Sequence, residues 1–157
     1  MSLLPFFEWC EQSGVGSAIR DSIWLFPVIE AFHLVGLAVL GGAVLIVNLR
    51  LLGLVLPGYS VAQLSREALP WMSRSLAVMI LSGVPLFLSE AIKCYYSTPF
   101  WLKMYSLAAA IVFSYTVWRY VASNDARGNG AAAKLTAIVS IALWAIVGWG
   151  GRWIGFS

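Results

Sequence analysis

Between Asp21 and Arg50 the chain runs for the length of a bilayer-spanning helix with only two ionisable side chains, Glu30 and His33. Hydrocarbon offers no water to the backbone, so such a stretch must satisfy its own amides, and a helix does so within one segment. Burial in a soluble core is the other solution, and it fails on size and composition. Of 157 residues, 61% are hydrophobic and 11% charged, and the mean hydropathy is +0.84, which is outside the range of a soluble domain of this length. Further apolar runs follow between short charged stretches. The expected fold class is therefore all-α, an integral membrane bundle of four transmembrane helices.

The spans read as 24–55, closed by Pro57 and Gly58; 69–92, with Pro85 inside it; 100–122; and 131–149, closed by Gly150 and Gly151. Turn-forming and polar residues join them at 59–67, 97–99 and 123–130. Pro85 withdraws a backbone donor and is expected to kink the second span near Leu81. Residues 3–19 read as an amphipathic helix lying in the membrane interface, with Leu3, Phe6, Phe7 and Cys10 toward lipid and Glu8, Glu11 and Gln12 toward water. The first residues lack the positive start of a secretory signal. Together, 1–157 form a single membrane domain.

Cations near the span ends orient the bundle. Arg50, Arg66, Arg74, Arg119, Arg127 and Lys134 lie at the end that holds the first and third loops; Arg20, Lys93, Lys103 and Arg152 lie at the end that holds both termini. The six-to-four bias places both termini outside the cytoplasm. Trp9, Trp24, Trp101, Trp149 and Trp153 fall at that outer end, as an interfacial aromatic belt would. Because the basic residues flank membrane segments and form no single patch, no nucleic-acid partner is implied. Cys10 and Cys94 would both face an oxidising compartment, which allows either a disulfide or two unpaired thiols.

At 100° per residue, Phe26, Glu30, His33, Leu37, Leu40, Val44, Val47 and Leu51 share one face of the first span, with Gly36 and Gly41 beside it. An ionisable residue inside a span is costly and marks a functional site, and His33 lies about 12 Å along its helix at 1.5 Å per residue. Glu90, Lys93, Lys103 and Arg152 approach the same membrane face from the other spans. Paired or snorkelling charges would account for those near helix ends; a histidine bonded to Glu30 would account for the pair. A neutral imidazole is also the commonest haem and metal ligand. His33 suits an axial ligand of haem b, with Lys103, Met79, Met104 or water opposite. Glu30 would orient the imidazole or carry protons, and Lys103 and Arg152 would hold propionates or an anionic head group such as a quinone. Copper, held by Glu30, His33 and methionines, is the competing use. No phosphate loop, Ser/His/Asp set or HExxH motif is present.

The run from Trp24-Leu-Phe-Pro through Glu30-Ala-Phe-His33 to Asn48-Leu-Arg-Leu-Leu-Gly53 resembles an uncharacterised bacterial family of small membrane proteins, in which Asp stands where this chain has Asn48. The plan is more distantly similar to CopD-type copper-resistance membrane domains and to the haem-binding membrane protoporphyrinogen oxidases. In the latter, a histidine in the first helix and a lysine opening the third form the functional pair, which His33 and Lys103, in Phe100-Trp-Leu-Lys103, would match. The resemblance implies a bacterial inner membrane location, in which the charge bias makes the termini periplasmic, together with haem b at His33 and a haem or substrate role for Lys103. Three functions are open at this point: a haem b protein in electron or proton transfer, acting on a quinone or porphyrin-like substrate; a copper-handling protein; and a non-catalytic subunit of a membrane complex or homo-oligomer.

Overall fold

The computed structural model describes residues 3–155, which fold into helices without strands. Four helical stretches are long and apolar enough to cross a membrane: α3 (Leu25–Leu51), α4 (Val61–Ser89), the composite Thr98–Ala122, and α8 (Ala131–Ile154). No more than 28% of the most apolar stretch of any of them is buried within the chain. The remainder forms an apolar outer surface that only lipid can cover at this extent. The protein is a multi-pass membrane protein.

Several of the span ends differ from the sequence expectation for local reasons. The first span stops at Leu51, short of 55, because Gly53 takes φ +78 and closes a Schellman motif. Its amide donates to the Arg50 carbonyl and the Leu54 amide to that of Leu49, both at 2.9 Å. The second begins at Val61, well before 69. The Ser60 hydroxyl caps it by accepting from the Gln63 amide at 3.0 Å, and Asp125 accepts from the Ala62 amide at 3.0 Å. Gln63, Arg66 and Glu67, assigned to a loop from their polarity, are the exposed face of this first stretch, while Val61, Ser65, Ala68 and Met72 are buried. The helix remains continuous through Pro70 and Pro85 to Ser89.

At Glu90 the backbone leaves the helical region (φ −136, ψ 37), and the short α5 (Ala91–Tyr96) follows. The third span is α6 (Thr98–Phe113), a π-helical turn at Ser114–Trp118, and α7 (Arg119–Ala122). The fourth runs past 149 to Ile154, because Gly150 and Gly151 lie within α8, packed along Lys103, and do not end it.

The N-terminal segment is two helices in place of one, α1 (Leu4–Glu11) and α2 (Gly14–Asp21), divided by Ser13, whose hydroxyl accepts from the Gly16 amide. Leu3 and Phe6 are exposed as expected, but Phe7 and Cys10 turn inward, onto Ala91, Cys94, Phe87 and Phe100. A polar clamp fixes this layer over the end of α4. Arg20 donates to the carbonyls of Ser89 (3.1 Å) and Glu11 (3.0 Å), and a Glu11 carboxylate oxygen accepts from the Ile92 amide at 2.6 Å. A side chain on Gly16 would run into the Leu88 carbonyl, so that glycine is what lets α2 lie against α4.

In the membrane region α3 packs along α4, and α6 along α8. The core at the loop end is apolar, built on Leu40, Val44, Val47, Leu51, Met72, Leu76 and Trp118. Within it the Asn48 amide donates to the Ser140 hydroxyl at 2.9 Å and accepts from the Trp118 indole at 2.8 Å, tying three spans through one fully buried side chain.

Candidate functional site

Small residues on α4 bring α3 close. Ser75, Ser82 and Ser89 recur every seven residues, two helical turns, so they share a buried face, and each turns its hydroxyl back onto its own helix. A side chain on Gly36 would come within 3.1 Å of Met79 Cγ, and one on Gly83 within 3.3 Å of His33 Cε1. Gly41 faces open space instead and takes no part in this approach. The imidazole of His33 therefore lies directly over Gly83, half-buried between α3 and α4.

His33 Nδ1 is 2.9 Å from Ser82 Oγ. Ser82 has one hydroxyl proton and places it on the Val78 carbonyl at 2.6 Å, so toward His33 its oxygen is an acceptor. Nδ1 of the neutral ring then carries the proton and donates it to Ser82. This tautomer leaves the lone pair on Nε2, which is the condition for ligating a metal.

The sequence-identified residues divide around this ring. Lys103 comes within electrostatic range of it and of Cys94, while its side chain runs along α8, with Nζ 3.5 Å from where a side chain on Gly151 would begin. Glu30 does not orient the imidazole. It is exposed, and Ser82 holds the place assigned to it. Arg152 is exposed on the last turn of α8. Met79 is buried against Gly36, and Met104 is exposed. Cys10 and Cys94 are both buried free thiols in the same apolar cluster. Burial, reinforced by the negative charge of Glu90, pushes the Cys94 thiol up to about 11. Among the described residues no three of His, Cys, Asp and Glu gather as a metal site would require. Sequence reasoning missed Ser82, whose only signal was the seven-residue recurrence of small residues on α4.

A family model covers residues 6–157, and its description is "Family of unknown function (DUF6644)". The chain belongs to the DUF6644 family. No curated protein and no solved structure matches it. The DUF6644 match thus fixes kinship over nearly the whole chain, and the chemistry rests on the residues themselves.

Proposed function

We propose that this chain is a haem b-binding membrane protein that takes part in electron or proton transfer, with His33 as an axial ligand through Nε2. The observation that carries the reading is the relay from His33 Nδ1 through Ser82 to the Val78 carbonyl, which fixes the ring and its tautomer inside a membrane span.

The chemistry of the donor suits the group: it is a single neutral imidazole packed over Gly83, and among the described residues no three of His, Cys, Asp and Glu gather as a bare metal ion would require. Bound haem would supply one-electron chemistry. Lys103, within electrostatic reach of His33, would hold a propionate or the head group of an anionic partner such as a quinone. This is the His–Lys pairing that the likeness to haem-binding membrane protoporphyrinogen oxidases implies. Glu30, exposed near the same face, is free to exchange protons with the interface. The family resemblance supports a bacterial inner membrane, and the charge bias supports periplasmic termini, an orientation that would set His33 in the outer half of the bilayer.

The test is an absorption spectrum of detergent-purified protein from a haem-replete host, oxidised and dithionite-reduced, with iron and copper quantified on the same sample. The reading expects a Soret band, sharp reduced α and β bands and near-stoichiometric iron. Stoichiometric copper without a Soret band would transfer the site to copper. A colourless, metal-free protein would leave a non-catalytic subunit role.

A further inference from the structure

At the loop end of the bundle, away from His33, a cavity of about 360 Å³ opens between the first turns of α4 and the π-turn and α7. Its polar groups are sharply divided. The Ser65 hydroxyl bonds the Ala122 carbonyl at 3.0 Å, Ser123 bonds the Tyr120 carbonyl at 3.1 Å, and the Trp118 indole is spent on Asn48. What remains is Arg66 from α4 and Arg119 from α7, both lining the cavity and neither making a hydrogen bond or ion pair among the described residues.

The other arginines at this end are engaged. Arg50 bonds the Tyr59 carbonyl at 2.8 Å, Arg127 lies 4.1 Å over the Tyr120 ring, and Arg74 lies 6.0 Å from that of Trp71. No carboxylate lines the cavity. The nearby Asp125 is committed to the Ala62 amide, which holds its carboxyl below the usual range. Two uncompensated guanidinium groups facing one space call for an anion, and their planar forks match phosphate oxygens. The walls, by contrast, are apolar: Leu69 and Trp118. Arg66 lies five residues into α4, roughly 7 Å from its start, at the depth of head groups when the span crosses a bilayer.

We infer that this cavity is a binding site for an anionic phospholipid of the adjoining leaflet, its phosphodiester held between Arg66 and Arg119 and its glycerol-proximal chain against Leu69 and Trp118. A free phosphate shares the charge chemistry but has no use for the apolar wall. The inference is independent of any cofactor at His33.

Native mass spectrometry of delipidated protein, titrated separately with phosphatidylglycerol and phosphatidylcholine, tests it. Phosphatidylglycerol is expected to bind preferentially; Arg66→Gln and Arg119→Gln should each weaken it about five-fold and the double variant about 25-fold. Excess sodium phosphate should leave the bound lipid in place. Arg127→Gln, whose cation is already engaged, should bind as wild type. Because Arg66 and Arg119 are exposed and without internal partners, the variants should keep wild-type helicity by circular dichroism. Equal binding of both lipids, an unaffected double variant, or full displacement by inorganic phosphate would each overturn the assignment.

Discussion

The proton on His33 Nδ1 is accounted for by a relay that runs through Ser82 into the backbone of its own helix at Val78, so the ring needs no counter-charge to be held. Neither half of that relay was legible in the sequence. Glu30 stood one turn from His33 and was the natural partner, but a neighbour on the same helix face and a neighbour in space are different things, and the ring turns to α4 instead. Ser82 gave no sign of its role beyond the seven-residue recurrence of small residues on α4, because a serine in an apolar helix satisfies itself on an earlier carbonyl wherever it sits. Cys94 offers a separate residue-scale prediction. Its thiol titrates at about 11 against an ordinary 9.0, because burial disfavours the thiolate. In a Cys10→Ala background, the alkylation rate of Cys94 should keep climbing about tenfold per pH unit beyond 9.0. A plateau near the ordinary value would contradict the buried, acid-facing placement. The linked stability is fully present below pH 9.0; it falls as pH rises from there to about 11, since the unfolded chain loses the proton first.

Elements carry the contrast between what hydropathy reveals and what it hides. The four spans follow from apolar length alone, but their ends depend on single contacts: a left-handed Gly53 stops α3, a Ser60 cap starts α4, and Gly150 stays helical because Lys103 packs where a side chain would be. The π-turn was equally hidden. It begins with Ser114 accepting from the Trp144 indole at 3.1 Å and ends with Trp118 reaching Asn48, so both ends of this turn are held by bonds from other spans. Asn48 entered the sequence reading only as a departure from a family pattern, yet it joins α3 to the third and fourth spans. Removing its amide orphans the Trp118 indole and the Ser140 hydroxyl in an apolar core. Asn48→Ala should cost about 1–2 kcal/mol, and Trp118→Phe about 1 kcal/mol. The two losses should not add, since both delete the Trp118–Asn48 bond. Reversible unfolding in mixed micelles of the single and double variants would measure this, and full additivity would contradict the shared bond.

At the scale of the whole molecule the two ends of the bundle are built differently. The end that carries the termini is roofed by α1 and α2, clamped through Arg20 and Glu11, with Cys94 packed beneath that roof against Phe7 and Cys10. Among the described residues no such roof covers the loop end, which presents a cavity with two arginines that make no hydrogen bond or ion pair. Between them the outward apolar surface commits the chain to lipid. Within that frame the central claim is that Nε2 of His33 ligates haem. The most direct measurement compares the reduced-minus-oxidised spectra of wild type, His33→Gly, and His33→Gly with imidazole added during haem loading. The account predicts that the Soret band is lost in His33→Gly and returns with free imidazole, which can occupy the vacated space over Gly83. A Soret band that persists unchanged in His33→Gly, or wild-type protein that takes up no haem, would contradict it.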